Sequence, residues 1–311
     1  MNKEIIYTLD GLYRDPFQVE GFRFGQGNRS ACIVGASRGN EIQQMYICSQ
    51  IVQALKRLEE QGDIVNENEI LVIPCMNPYS MNVGKRFWPS DNQDLNRSFP
   101  GKADGEVVSR ISHAVLERVK GYNYGMQFTS FYMPGDFIPH VRMMETGYQS
   151  ASLANLFGTP YVLIRKPKPI DTFTLNYNWQ LSGTNAFSIY AGGLEEIDEN
   201  AAKQAVSSVL RFLTRMGIIR YRNHSGYIAS VIHDEDLMSV QANLAGLWKG
   251  CKKPGDVVEY GEVLGQILDP YEGHVKGEIV SPTQGIVFFA HNDPLIMENT
   301  EIYRIIRRMH E

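Results

Sequence analysis

The chain has 311 residues, 43% of them hydrophobic and 21% charged, with a formal net charge of −5. That length and balance exclude a disordered or fibrous chain and suit one large globular domain plus a small one. No Lys/Arg run interleaves with aromatic residues, which argues against nucleic acid as a partner, and no window approaches the roughly 18 apolar residues of a membrane span.

The N-terminus, Met1-Asn2-Lys3-Glu4-Ile5-Ile6-Tyr7-Thr8, lacks the apolar stretch of a signal peptide, so a cytoplasmic protein is expected. Residues 31–36, Ala-Cys-Ile-Val-Gly-Ala, read as a buried strand ending in small residues. Residues 41–58 follow with Ile42, Met45, Cys48, Ile51, Val52, Leu55 and Leu58 at helical spacing, one buried stripe. Residues 70–74 are a second strand. Val107, Val108, Ile111, Val115 and Val119 mark a second helix. Strands are expected at 161–164 and 186–190, and a third helix over 201–216, with Ala205, Val206, Val209, Leu210 and Leu213 on one face. Alternation of this kind predicts an α/β fold, a mixed and mostly parallel sheet flanked by helices, over residues 1–219.

The period changes near Arg220. Residues 220–311 hold short strands divided by Gly, Pro and Asp, at 246–249, 263–268 and 285–289, and read as a small all-β domain. The run Lys253-Pro254-Gly255-Asp256-Val257, then Gly261 and Gly265, then Ser281-Pro282-Thr283-Gln284-Gly285-Ile286-Val287, is similar to the biotinyl/lipoyl barrel-sandwich pattern. The modifiable lysine tripeptide of that pattern is absent, so an accessory β barrel-sandwich domain is expected. Cys32, Cys48, Cys75 and Cys251 are too widely spaced for a disulfide framework or zinc knuckle and read as reduced core residues. Of the seven histidines, His113 reads as a solvated or packing residue on a helix, and His224, His233, His274, His291 and His310 as surface of the β-domain side.

Three motifs in order carry a resemblance. They are Gly35-Ala36-Ser37-Arg38-Gly39-Asn40-Glu41 at a strand-to-helix turn; Asn77-Pro78, Arg86, Asp91 and then Asp94-Leu95-Asn96-Arg97-Ser98-Phe99-Pro100-Gly101; and Ile189-Tyr190-Ala191-Gly192-Gly193 at a strand end. With the β-domain, they resemble the succinylglutamate desuccinylase/aspartoacylase family of the zinc carboxypeptidase clan. The resemblance implies a zinc-dependent amidohydrolase acting on N-acyl amino acids. In that family a His and a Glu of the first motif and a later His hold zinc, a strand glutamate takes the proton from the metal-bound water, an arginine steadies the oxyanion, and an Asn-Arg pair clamps the substrate carboxylate.

Aligned residue by residue, only part of that set is present. Glu41 keeps its place as a metal ligand, but Arg38 and Gln127 stand where the two histidines belong, and Gly125 stands where an aspartate precedes the second. A guanidinium has no lone pair to give a metal. Tyr190 stands at the base position, and a phenol with a reference pKa near 10 is a poor proton acceptor at neutral pH. Arg86 matches the oxyanion arginine and Asn96-Arg97 the carboxylate clamp. Arg38 and Glu41, three residues apart at a helix start, are expected to pair. Arg38, Arg86 and Arg97 would then form a cationic cup, with Asn96 completing the clamp, for a small carboxylate ligand of the acyl amino acid class. The expectation is a non-catalytic or regulatory subunit with no cofactor, acting beside an active paralogue or as a homodimer, with no nucleic acid and no membrane. The alternative is an active amidohydrolase with an altered zinc site drawing on Glu41, Asp136 and His140, or with a metal-free mechanism that uses Tyr190 as an acid; a purely structural scaffold is the third reading.

Overall fold

The computed structural model describes residues 1–11, 15–131, 133–147 and 150–307. Ten strands come first: β1 (Asn2–Leu9), β2 (Phe17–Gly25), β3 (Gly27–Ala36), β4 (Glu67–Cys75), β5 (Tyr124–Phe128), β6 (Asp136–Phe137), β7 (His140–Met144), β8 (Tyr161–Arg165), β9 (Asn185–Tyr190) and β10 (Ser230–His233). Among them run α1 (Ile42–Glu60), α2 (Pro78–Asn82), α3 (Val107–Val119), α4 (Ala151–Asn155), α5 (Leu175–Leu181) and α6 (Glu199–Arg215). All but β6 build a nine-stranded sheet in the order β1-β2-β4-β3-β5-β9-β7-β8-β10. Its centre is parallel, β4 with β3, β3 with β5 and β5 with β9. β7 enters antiparallel to β9 and parallel to β8. The sheet is therefore mixed and mostly parallel at its centre, as the alternation of apolar runs and amphipathic helices implies.

Apolar residues on both faces of the central strands explain why helices cover both sides. In β3, Ala31 and Ile33 pack with Ile47, Ile51 and Leu55 of α1 and Val209, Phe212 and Leu213 of α6. Cys32 and Val34 of the same strand pack with Val108, Ile111 and Val115 of α3 and Leu175 and Trp179 of α5. Chain connections leave the C-terminal end of β3 and its neighbours toward opposite faces, the kind of place where α/β sheets open a ligand crevice. Gly125 in β5 lies directly beneath Trp179: a Cβ there would sit 2.8 Å from the indole ring atoms. The aspartate implied at this position by the family resemblance is thus replaced by a residue that makes room for a large core side chain.

The chain divides into two compact units, residues 1–130 with 139–231, and residues 131–138 with 232–311. The division falls within β10, later than the 219/220 boundary expected from the change of period, because the stretch 220–231 runs back along the first unit, Tyr227 N donating to Gly158 O and Ser230 N to Pro160 O, both at 3.0 Å. The second unit also takes in a segment from the middle of the sequence. There β6 pairs with β16, and Phe131 and Phe137 pack against Phe289 with ring centroids 5.6 and 4.7 Å apart.

The rest of the second unit is β11 (Leu237–Gln241), β12 (Gly246–Gly250), β13 (Val257–Val258), β14 (Val263–Leu268), β15 (Val275–Val280), β16 (Gly285–Ala290), β17 (Leu295–Ile296) and β18 (Glu301–Arg307). They form two antiparallel sheets, β11-β18-β16-β13 with β6 beside β16, and β15-β14-β12-β17. Trp248, Leu264, Ile267, Ile279 and Ile296 of the second sheet meet Val240, Val287, Ile302 and Ile305 of the first in one core. Among the described residues this is an open sandwich and not a closed barrel. Two residue readings also change. Cys251 is exposed, unlike the buried Cys32, Cys48 and Cys75, and His291 is buried, with burial lowering its pKa. His310 lies outside the described residues. No helix among them is long and apolar enough to cross a membrane.

Because the Trp179 ring has no free volume beneath it, Gly125→Ala is expected to cost about 1–3 kcal/mol through overpacking. A urea unfolding midpoint unchanged from wild type would contradict that packing.

Candidate functional site

Three turns meet at the C-terminal end of the central strands, and each motif glycine has a local reason. Gly39 sits where a Cβ would lie 2.1 Å from Lys85 O and 2.5 Å from the Ser80 carbonyl carbon, so the β3–α1 turn can press onto α2 only with glycine. Asn77 caps α2, its side chain accepting from Ser80 N at 3.1 Å, and Pro78 fills the first helical position. Gly192 adopts φ +73 and is packed against Gln43, whose amide exchanges hydrogen bonds with the Asp198 backbone at 3.0 Å. The first and third motifs are therefore brought together by backbone fit before any chemistry is considered.

Glu41, at the start of α1, is fully buried. Its Oε2 accepts from Ser37 N at 2.7 Å, Arg38 N at 3.0 Å and Ser37 Oγ at 3.1 Å. Its Oε1 accepts from Arg38 Nη1 at 3.1 Å and from Ser130 Oγ. The second face of the Arg38 guanidinium holds Asp94, with Nη2 donating to Oδ2 at 2.8 Å and Nε reaching both carboxylate oxygens at 3.1 Å. Arg38 is itself only 4% exposed. Burial alone would lower its pKa, but Glu41 and then Asp94 more than offset that and raise it. One guanidinium thus bridges two carboxylates in a nearly dry site.

The network continues into the second motif. Asp94 Oδ1 accepts from Asn96 N at 3.1 Å, capping the short turn Leu95–Arg97. Asn96 Oδ1 accepts from Gln127 Nε2 at 2.8 Å, and both residues are buried. Arg97 Nε lies 3.6 Å from Asp94 Oδ2, with the side chain about one-third exposed at 33%. Arg86 is half-buried, and burial together with the charge on Arg38 lowers its pKa. Its backbone carbonyl accepts from Gly39 N at 2.9 Å, which ties it to the first motif.

Arg38, Glu41, Asp94, Asn96, Arg97 and Gln127 therefore form one connected cluster, with Arg86 tied to its edge through Gly39. Arg38 differs from its expected role in the cup, because its charge and donors are already taken by Glu41 and Asp94. Tyr190 is buried, stacked parallel on His140 at 4.7 Å between centroids, and the Arg142 guanidinium lies 4.7 Å over its ring. Burial raises its pKa, partly offset by Arg142, Arg165 and Arg38. A buried phenol held neutral does not take a proton from water. His140 is committed to that stack, and Asp136 is an exposed residue of the second unit paired through its backbone with Ala290. Ser37, Ser130, Arg142 and the buried pair Arg165–Asp171 were not legible as site residues; Ser37 alone lay inside a motif.

Residues 28–216 match the family profile for the succinylglutamate desuccinylase/aspartoacylase catalytic domain. The chain belongs to that family. A curated relative, the N-alpha-acetyl-L-2,4-diaminobutyric acid deacetylase of Halomonas elongata, is 30% identical over 83 residues, which cover 27% of this chain and 22% of that protein. The match therefore spans about a fifth of that relative's length. Among solved structures, the succinylglutamate desuccinylase/aspartoacylase from Rhodobacter sphaeroides superposes with a TM-score of 0.80 at 17% identity, covering 99% of this chain and 96% of that one. The product-bound ectoine utilization protein EutE from Ruegeria pomeroyi gives a TM-score of 0.78 at 19% identity, covering 93% and 89%. These likenesses extend the family fold over the second unit as well.

Family membership implies zinc, and the donor set here does not fit it. A catalytic zinc takes three side-chain donors from His, Glu, Asp or Cys and keeps one open position. Arg38 offers only N–H groups. Gln127 turns its amide nitrogen into the Asn96 bond. Glu41 has five donors on its two oxygens. Among the described residues no group of three or more His, Cys, Asp or Glu is placed to hold a metal.

Removing the bridging cation leaves Glu41 buried without its charge partner, so Arg38→Met is expected to lose about 3–5 kcal/mol of stability. Arg38→Lys keeps a charge without the planar fork and should lose an intermediate amount. Urea unfolding of the three proteins decides it; equal midpoints would show that the bridge is not what holds the site. Tyr190 gives a pH test. A phenol whose folded pKa exceeds its unfolded value near 10 contributes fully below that value and loses its contribution as pH rises toward the folded pKa. Stability of Tyr190→Phe relative to wild type should therefore improve between pH 9 and pH 11 on the same reference scale, read from unfolding midpoints.

Proposed function

We propose that this family member does not hydrolyse amides and instead binds a small carboxylate-bearing ligand of the acyl amino acid class. The observation that carries the reading is the Glu41 carboxylate: buried, accepting five hydrogen bonds, and neutralised by Arg38 in the place of a lone-pair donor. The base position supports the same reading, because Tyr190 is buried with its proton held on. What remains of the family chemistry is the anion-recognition half. Asn96 is fixed by Gln127 and Asp94, Arg97 stands next to it and partly open to solvent, and Arg86 lies at the edge of the cluster. Arginine forks suit planar carboxylates. EutE of Ruegeria pomeroyi, of similar fold, is known with its product bound, and this chain would hold a ligand of comparable size without cutting it. The protein would act in the cytoplasm, as a regulatory or sensing subunit beside an active paralogue or as a homodimer.

Two measurements test this together. After chelation and reloading with Zn²⁺, the purified chain should carry only substoichiometric metal and should not hydrolyse N-acetyl or N-succinyl amino acids. Saturating acyl amino acid at a roughly hundredfold excess over its dissociation constant should stabilise the fold by about 2.7 kcal/mol, and Arg97→Ala should remove most of that shift. One zinc per chain with chelator-sensitive hydrolysis would overturn the proposal. So would the absence of any thermal shift across the acyl amino acid series. Replacing both non-ligands, Arg38→His with Gln127→His, should raise zinc content above that of the wild type.

A further inference from the structure

The outer face of the four-stranded sheet β15-β14-β12-β17 has a pattern the site does not use. Trp248, Ile267, Ile279 and Ile296 of these strands pack into the sandwich core. Alternation puts their neighbours Leu247, Lys249, Gln266, Leu268, Glu278 and Leu295 on the opposite face, and Val275 joins them by pairing with Leu268 across a register shift. Across that face runs an apolar row: Leu295 on β17, Leu247 on β12, Leu268 on β14 and Val275 on β15, joined by the pairings Leu247↔Leu295, Leu247↔Leu268 and Leu268↔Val275. Leu295 is 65% exposed, Val275 47% and Leu247 37%, and Leu268 between them is half-buried. An exposed row of this kind, in a sheet whose other face is already a core, marks an interaction surface.

The neighbouring row identifies the partner. Lys249 on β12 pairs in register with Gln266 on β14, and Gln266 with Glu278 on β15. Gln266 Nε2 donates to Glu278 Oε1 at 3.0 Å. The row thus reads base, neutral, acid across three adjacent strands. With strands spaced about 4.8 Å apart, Lys249 and Glu278 stand roughly 10 Å from each other across the sheet, too far to pair directly. Both are exposed, and among the described residues neither has an ion-pair partner.

That order is antisymmetric about its middle strand, and antisymmetry is what a two-fold interface requires. Lay a second copy of the sheet face to face with a two-fold axis running along β14. β15 of one copy then lies over β12 of the other, at the same level along the strands. Glu278 of each chain faces Lys249 of its partner, and Gln266 faces its own copy. In the next row Leu268 meets Leu268, and Leu247 meets Val275. Apolar meets apolar and opposite charges meet twice, all from one surface. Sheets pack face to face in this way about 10 Å apart with strands nearly aligned. An anionic membrane or a nucleic acid would require a cluster of basic residues, and this face offers a near-neutral one.

We propose that the β15-β14-β12-β17 face of the second unit is a homodimer interface, with reciprocal Lys249–Glu278 pairs across the two-fold and Leu268 on the axis. The partner is a second copy of this chain.

Sedimentation velocity of the full chain over a concentration series tests it, with circular dichroism confirming that each variant is folded. The wild type should dimerise. Lys249→Glu and Glu278→Lys place like charges together at both contacts, so each should weaken the dimer by about tenfold or more. The double exchange, Lys249→Glu with Glu278→Lys, should restore it. Mixing the two single variants should give a heterodimer, because opposite charges then meet at both contacts. Leu268→Asp, on the axis, should leave a monomer. A wild type that stays monomeric at every concentration overturns the proposal. So does a dimer that neither single reversal nor Leu268→Asp weakens, or a pair of single variants that do not associate when mixed. None of these readouts depends on ligand binding at the Arg38–Glu41 site.

Discussion

A carboxylate with no solvent contact must find positive charge or abundant hydrogen bonding, and at Glu41 it finds both. The side chain stands at the start of α1, where the β3–α1 turn delivers two backbone N–H groups to it, and Arg38 closes the remaining side. The same guanidinium reaches across to Asp94, and Asp94 caps the turn that carries Asn96 and Arg97. One planar cation therefore connects the first motif to the second. In a low-dielectric setting a doubly paired guanidinium is worth keeping, because losing either partner strands a charge.

The same connections hold the surrounding motif together. Asp94, Asn96 and Gln127 are held by one another as much as by anything bound. Arg38 supplies positive charge to the Glu41 carboxylate, and Ser37 and Ser130 point their donors at it. The β3–α1 turn thus settles a buried ion pair.

The central fold was largely legible. The buried runs at 31–36, 70–74, 161–164 and 186–190 became β3, β4, β8 and β9, and the stripes on α1, α3 and α6 are the ones that pack. β1 left no such signal, because it is an edge strand with no fully buried residue. β7 was hidden too: His140 and Arg142 interrupt its apolar run, the first buried and the second partly so, and Tyr190 packs against both. At the site, Arg38 and Glu41 could be paired from a helical spacing of three. Asp94 as the second partner, and Ser130 as a donor, could not. They lie 56 and 92 residues from Arg38, and no local pattern reports a contact of that separation. The boundary near 220 was blurred for a related reason, since an irregular stretch gives no sign of which unit it lies along.

The detour of residues 131–138 has a consequence for how the polypeptide can be taken apart. The accessory sandwich is assembled from two stretches of sequence, and its β6 strand arrives from between β5 and β7. Cutting the chain after Val231 would not release an intact first unit. It would leave Phe131 and Phe137 stranded without Phe288 and Phe289, two aromatic rings on an orphaned loop. Gene fusion or shuffling that treats the sandwich as a C-terminal cassette would inherit that sticky remnant, so the two units are bound to be inherited as one piece.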